Sequence, residues 1–339
     1  MRPKWKWYKS DLKHVPKNGL KVFSTFSCGG GSSYGYKLAG YDLLGNCEID
    51  SKINAMYVKN HRPKYNFNMD IRNFNRLKDI PEPLYHLDIL DGSPPCSTFS
   101  ISGQREDNWG KAKAFKEGQR KQVLDDLFFV FLETVERLQP KVVVAENVDG
   151  MTRGKARYYI TMVINEFKRI GYDVQLFRFN SMFMNVPQSR ERIFFIANRM
   201  GYPKLNIRPN EKPVLFREFA SRKAKPMNKN TEAYWLMKNH MIDSDHDLGD
   251  INMRVLNKLS QFNTKIVRFD EVFPTVTSGG CSYREDLKMV MDEDYISAST
   301  FPQDYDFNGN PVKYVCGMSV PPRMMEYIAR EIAKQWFRR

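Results

Sequence analysis

Cys96 stands in the segment Gly92-Ser-Pro-Pro-Cys-Ser97, directly beyond the apolar run Leu87-Asp-Ile-Leu-Asp91 and behind two prolines that stiffen the backbone. A thiol presented this way has the setting of a nucleophile, because the thiolate is soft and reactive even when only a small fraction is ionised. The same residue type also serves as an inert packing group, and the segment alone leaves both readings open. A second candidate is the turn Phe23-Ser-Thr-Phe-Ser-Cys-Gly-Gly-Gly31, whose glycines let the backbone approach a ligand at the start of a helix. Glu48 follows 17 residues beyond Gly31, an acid placed to accept both hydroxyls of a ribose, so the pair of features suggests an adenosine-containing cofactor. Two more segments carry charge: Glu146-Asn-Val148 after one strand-like run, and Gln188-Ser-Arg-Glu-Arg192 before another. Arg190 and Arg192 lie two apart, so on a strand they share a face.

Short β-type runs that alternate with helical stretches must position these groups, the pattern of a sheet with helices on its faces. The expected strands are Lys21–Phe26, Leu43–Ile49, Leu87–Asp91, Lys141–Ala145, Val174–Phe179 and Arg192–Ala197. Val142-Val-Val144 is continuous and apolar, as in a strand buried on both faces. Helical periodicity predicts helices over Gln122–Leu138 and Arg157–Ile170, the second ended by Gly171. After about residue 200 the alternation fades. The domain expectation is one catalytic unit from 1–200 and 270–339, whose last helix packs back on it, with a smaller inserted module at 201–269.

The chain has 339 residues, 42% hydrophobic and 27% charged, which describes a soluble globular protein. No stretch approaches the roughly 20 apolar residues of a membrane span, and the start has no signal-peptide core. Five cysteines without a Cys-x-x-Cys pair argue against disulfides and zinc, and point to reduced thiols in a cytosolic protein. The string Asp243-Ser-Asp-His-Asp247 hints at a calcium loop, but Leu248 and Arg254 occupy its sixth and twelfth places, so no metal is expected. A formal net charge of +14 attracts a polyanion, with nucleic acid the first partner to consider. Residues 1–21 carry seven Lys/Arg against Asp11, interleaved with Trp5, Trp7 and Tyr8, a stretch that reads either as an arm along phosphates or as a frayed terminus.

The four segments, in that order and at those intervals, resemble the DNA (cytosine-5) methyltransferases. The resemblance extends from Val22 to about Ile332 and weakens within roughly 200–265. It also takes in Asp70-Ile71, Phe301-Pro302 with Asp304-Tyr305, and Gly317-Met-Ser-Val-Pro-Pro322. It implies a Rossmann-like class I methyltransferase domain of mostly parallel α/β type with an inserted target-recognition domain. The implied activity is methylation of cytosine carbon 5 in double-stranded DNA, with S-adenosylmethionine as donor. By the same resemblance Cys96 attacks carbon 6, Glu146 serves ring nitrogen 3, Arg192 contacts the base's carbonyl, and Arg190 supports it. Phe26, Ser27, Cys28, Gly29, Gly30, Gly31, Glu48, Ile49, Asp70, Ile71 and Ser319 would hold the cofactor. Pro95 would contact the exocyclic amine. The segment Ser97–Gln122 would close over a flipped base as a mobile loop, with Ser100 and Arg105 nearest it. The family's setting implies a prokaryotic or phage-encoded, cytoplasmic, nucleoid-associated monomer, and leaves open a cognate restriction endonuclease as partner.

Several residues depart from the family's pattern. Ser24 stands where an Asp is usual, Cys28 where the first Gly is usual, Ser97 in place of a frequent Gln, and Met318 in place of a common Asn. An arginine that usually supports the recognition module is missing across Val290–Phe301, with Glu293 near its position. Two alternatives are a transfer-RNA cytosine methyltransferase, although 201–285 has no Cys-Phe-Thr signature, and a catalytically silent DNA-binding module. A dinucleotide-dependent dehydrogenase would fit the glycine turn but not the later segments.

Overall fold

The computed structural model describes residues 2–95, 126–152 and 156–337. Strands β1 (Lys21–Thr25), β2 (Asp42–Cys47), β3 (Tyr65–Phe67), β4 (Ile89–Gly92), β5 (Val142–Val148), β6 (Asp173–Asn180) and β7 (Glu191–Asn198) form one sheet in the order β3-β2-β1-β4-β5-β7-β6. The first five strands pair in parallel, and β7 runs antiparallel between β5 and β6. Between them lie α1 (Gly31–Leu38), α2 (Ser51–His61), α3 (Ile71–Phe74), α4 (Leu127–Leu138) and α5 (Ala156–Arg169). The inserted region holds α6 (Glu232–His240), α7 (Leu248–Leu256) and a small sheet of β8 (Lys265–Val267), β9 (Ser282–Arg284) and β10 (Lys288–Met289). Then come α8 (Asp292–Ala298), α9 (Val312–Met318) and α10 (Pro322–Ile332).

The two-residue period of a strand divides the apolar runs between two cores. Val143, Ala145, Leu90 and Phe195 join the core under α4 and α5, while Val142, Val144, Ile89 and Ile196 join the core under α1 and α10. Each fully buried Val, Leu, Ile or Phe contributes about 1.5–3 kcal/mol of transfer free energy, so the central strands are held from both sides. Helix α10 closes onto α1 at short range: Tyr41 Oη donates to the Ala329 carbonyl at 2.9 Å, and Arg330 Nη2 to that of Leu38 at 2.6 Å. The mostly parallel sheet with helices on both faces is the architecture expected from the alternation of elements.

Particular elements differ from expectation. Glu146-Asn-Val148 lies inside β5 rather than after it, because these residues keep pairing with β7 as far as Val148–Arg192. Strand β3 and helix α2 carry no strong period of their own; α2 starts where Asp50 accepts hydrogen bonds from the Lys52 and Ile53 amides. The tryptophans near the N-terminus belong to the interior and not to an extended or frayed arm. Trp7 is buried, donates its indole N–H to the Thr300 carbonyl at 2.8 Å and meets Tyr34 edge-on, while Trp5 packs near Phe219. Their apolar area outweighs what the flanking lysines gain in water, so the aromatic body is buried and the charges stay outside.

The small module has its own core, drawn from Met227, Leu236, Leu248, Ile251 and Ile266, with Tyr283 and Met289 against it. Leu205 and Ile207, in contrast, join the core beneath α10, and Trp336 donates to the Pro203 carbonyl at 2.8 Å. Two buried arginines brace the module. Arg284 donates to the Ser221 carbonyl at 2.7 Å and lies over Phe269, and Arg268 donates to the Asp245 carbonyl at 3.1 Å. Glu293, at the place where an arginine is usual, accepts from the Ser221 hydroxyl instead. The acids of the Asp243–Asp247 string have local partners: Asp245 pairs with Arg254 and Asp247 with Lys265, each at 2.7 Å.

Candidate active site

The strand order reverses direction between β1 and β4, and in open α/β sheets a crevice for ligands opens at the carboxyl ends of the strands at such a point. The chain leaving β1 there is tightly bent, with φ of +51° at Phe26, +44° at Cys28 and +72° at Gly30. Left-handed backbone is unusual for Phe and Cys, and Cys28 adopts it at the place where the family's pattern has glycine. A Cβ on Gly31 would stand 2.0 Å from the Val320 carbonyl oxygen, and one on Gly30 would stand 2.1 Å from His61 Nε2. The turn is therefore clamped between the α9–α10 junction on one side and α2 on the other. His61 is buried against Tyr34 and Tyr57, and burial holds its imidazole well below the usual range and so neutral.

A cleft of about 100 Å³, open to solvent, runs over this turn and is lined by Phe26, Cys28, Glu48, Ile49, Asp70, Ile71 and Pro95. It shares Phe26, Cys28, Ser93 and Met318 with a smaller recess of about 10 Å³, whose walls include Ser27, Gly31 and Ser319. Gly29 and Gly30 shape the turn without lining either space; a Cβ on Gly29 would meet Val315 Cγ1 at 2.5 Å. Glu48 is held from both oxygens: Oε2 accepts from the Cys28 amide at 2.8 Å and Oε1 from the Asp50 amide at 3.0 Å. Burial raises its carboxyl above the ordinary range, and those amide bonds work the other way. Asp70 caps α3 through the Arg72 amide at 2.8 Å, so its carboxylate serves the helix end as well as the cleft wall. The cleft also takes Met69 and Tyr314, which the sequence did not single out, and Met318, which stands where an Asn is common. Tyr314 comes from α9, with no short string of its own to mark it.

Beside the cleft, Glu146 on β5 and Arg192 on β7 form an ion pair with Nε to Oε1 at 3.0 Å, each side chain about one-seventh exposed or less. Arg192 pairs across the ladder with Val148 and Glu146 with Phe194, so the charged pair spans a diagonal on one face. Burial lowers the Arg192 guanidinium, and Glu146 opposes that effect. Arg190, expected in a supporting place beside Arg192, has partners of its own. It is buried, and its terminal nitrogens donate to the Val276 and Gly317 carbonyls, each at 3.0 Å, which ties the return from the small module and the end of α9 to the start of β7. Gln188 reinforces the same junction, accepting from the Val276 amide at 3.0 Å and donating to the Ala298 carbonyl at 3.2 Å. Asn147, next to Glu146, donates to the Pro94 carbonyl at 3.2 Å and so fixes the chain two residues before Cys96. Cys96, Ser100, Arg105 and the segment Ser97–Gln122 lie outside the described residues.

Among the described residues no group of His, Cys, Asp and Glu gathers as a metal site, and no helix is long and apolar enough to cross a membrane. The buried thiols Cys47 and Cys316 are pushed far up by burial, which suits packing rather than reactivity.

A mostly parallel sheet with a glycine turn and a cleft at its switch point, and a charged pair on β5 and β7, is an α/β arrangement of the methyltransferase kind. The chain belongs to the C-5 cytosine-specific DNA methylases, whose family pattern matches residues 20–334. It is 31% identical over 194 residues to the type II methyltransferase M.FnuDI of Fusobacterium nucleatum, a match that covers 57% of this chain and 50% of that protein. With the type II methyltransferase M.HindV of Haemophilus influenzae it shares 25% identity over 331 residues, covering 92% of this chain and 96% of the relative. The chain spans from a third to a half of the length of the first curated relatives it matches. Among solved structures it resembles a protein described as a DNA modification methyltransferase encoded within an E. coli prophage, with a TM-score of 0.64 and 18% identity over 94% of this chain and all of the other.

Proposed function

We propose that the protein transfers a methyl group from S-adenosylmethionine to carbon 5 of cytosine in double-stranded DNA. The observation that carries this reading is the convergence of three things at one end of the sheet: the cleft, the Glu146–Arg192 pair, and Pro95, which lines the cleft immediately before Cys96.

The cleft fits the donor. The glycine turn brings its backbone to the recess with no room for a side chain at residue 31, where a Cβ would meet the Val320 carbonyl, Glu48 offers carboxylate lone pairs to ribose hydroxyls, and the Ser319 hydroxyl is buried without a partner among the described residues. Phe26 supplies an aromatic wall for adenine, with Ile49, Asp70 and Ile71 along its edge. S-adenosylmethionine supplies an electrophilic methyl on a sulfonium centre, and the chain must supply a nucleophilic carbon to meet it. The thiolate of Cys96 adds to carbon 6 of the cytosine, and the displaced π electrons make carbon 5 nucleophilic. Glu146, protonated when the base is bound, offers its proton at ring nitrogen 3 so that negative charge does not build on the ring. Arg192 donates to the ring carbonyl, and the Pro95 backbone meets the exocyclic amine. Once carbon 5 carries the methyl, its proton leaves to water or hydroxide and the sulfur–carbon bond breaks, returning Cys96. Arg190 and Gln188 are positioning residues that hold the β7 end in register with α9. The target base must leave the duplex to reach such a site, and the small module contacts the flanking DNA.

Incubating the protein with methyl-labelled S-adenosylmethionine, duplex DNA and transfer RNA tests this reading. Label should appear in DNA as 5-methylcytosine; label confined to RNA would overturn the DNA assignment, and label on neither would overturn the reaction.

A further inference from the structure

The recess at the end of the cleft contains an acid that the proposed chemistry does not use. Asp91 is the last-but-one residue of β4, 2% exposed, in an otherwise apolar strand. Burying a carboxylate is costly unless it is paired, and among the described residues no lysine or arginine contributes to its electrostatics. Its hydrogen bonds come from neutral hydroxyls: Ser24 Oγ donates to Oδ2 at 2.8 Å and Tyr36 Oη to Oδ1 at 3.3 Å. Ser24 and Asp91 are direct partners on the β1–β4 ladder.

The surroundings are those of a ligand site rather than of a packed core. Asp91 lines the recess together with Ser93, Gly31 and Ser319, and the Ser319 hydroxyl, also buried, has no hydrogen-bond partner among the described residues. Burial raises the Asp91 carboxyl to about 7, with the nearby Glu146 adding to the effect and the Ser24 and Tyr36 hydroxyls opposing it. The remaining titratable groups that face Asp91 are Tyr36 from α1 and Tyr57 from α2, and burial lifts both phenols far above neutrality. Among the described residues the site is therefore short of one cation.

Resting on the methyl-donor reading above, we propose that Asp91 binds the α-ammonium group of S-adenosylmethionine and so selects ligands that carry an intact amino-acid end. The Ser319 hydroxyl meets the same end of the ligand, and Glu48 the ribose at the other. The ammonium supplies the positive charge that the recess lacks, and binding converts a partly protonated acid into a paired carboxylate.

The sign of the pH effect follows. Below about pH 7 the ligand-free acid is largely protonated, so binding must release a proton and affinity falls as pH drops; above it the carboxylate is already formed and affinity levels off. The test compares S-adenosylhomocysteine, which keeps the amino-acid end, with 5′-methylthioadenosine, which lacks it, by calorimetric titration of wild type and Asp91→Asn at pH 6 and pH 8. S-adenosylhomocysteine should bind wild type more tightly at pH 8 than at pH 6. Asp91→Asn should weaken its binding by about tenfold or more and remove that dependence, since hydrogen bonds to charged groups carry about 1.5–3 kcal/mol. Methylthioadenosine should bind both proteins within about twofold, which also reports that the variant is folded. Equal losses for both ligands in Asp91→Asn, or no loss for either, would overturn the assignment. If the variant does not fold, the wild type alone decides: a pH dependence shared equally by the two ligands overturns it. Wild type that binds neither nucleoside overturns the methyl-donor reading and this assignment together.

Discussion

At the residue scale, the proposed chemistry turns on one ion pair and one thiol. Arg192 and Glu146 are bound to each other at 3.0 Å in a largely buried position, so each side chain is oriented by the other. Glu146→Gln keeps the shape and a hydrogen bond to Arg192 but cannot give a proton to ring nitrogen 3. The turnover of Glu146→Gln should fall by about 100-fold or more, the usual worth of a positioned acid, with cofactor affinity unchanged. Steady-state methylation beside S-adenosylhomocysteine binding checks this, and wild-type turnover in the variant would remove Glu146 from the mechanism. Much of this site was legible in the sequence, because Glu146, Arg192, Glu48 and the glycine turn each sit in a short string whose residue types suit one task. Arg190 was harder to read. Its two-residue spacing from Arg192 suggests a shared face, yet its donors reach the Val276 and Gly317 carbonyls, more than 80 residues away in the chain. No local pattern reports such a partner. Asp91 was visible as an acid within an apolar run, and only the β1–β4 register shows that it faces Ser24.

At the element scale, the cleft depends on how closely the turn after β1 meets the α9–α10 junction. Gly31 touches the Val320 carbonyl so closely that a methyl group has no room, and the obstacle is backbone rather than a movable side chain. Gly31→Ala should therefore lose about 1–3 kcal/mol of stability and bind S-adenosylhomocysteine more weakly, as the turn shifts into the ligand's place. Thermal melting with and without ligand would show it; an unchanged melting temperature and affinity would mean that the junction yields easily. The strands β1, β2 and β4 to β7 follow from their apolar runs, as do α4 and α5 from their period. Strand β3 and helix α2 do not, since three residues are too few for a period and α2 is fixed by its Asp50 cap and by packing against residues 30–34. The tryptophans at residues 5 and 7 were misleading for a related reason: basic neighbours suggest an exposed arm, while the aromatic area is what decides burial.

At the scale of the whole molecule, the large sheet carries the cleft and the charged pair, and the small module has its own core around Leu236, Leu248 and Ile251, with Arg268 and Arg284 bonded to carbonyls inside the inserted region. The excess of 14 positive charges favours a polyanionic partner, which suits a site built to receive a base from DNA. The central claim of the proposed function is a covalent bond between Cys96 and the target base. Duplex DNA carrying 5-fluorocytosine in place of cytosine tests that bond most directly, because fluorine at carbon 5 cannot leave as a proton does and the adduct persists. With S-adenosylmethionine present, wild type should form a denaturation-resistant protein–DNA complex, mapped by mass spectrometry to Cys96, and Cys96→Ser should form none. A complex of equal yield in Cys96→Ser, or methylation of ordinary cytosine at the wild-type rate by that variant, would contradict the account.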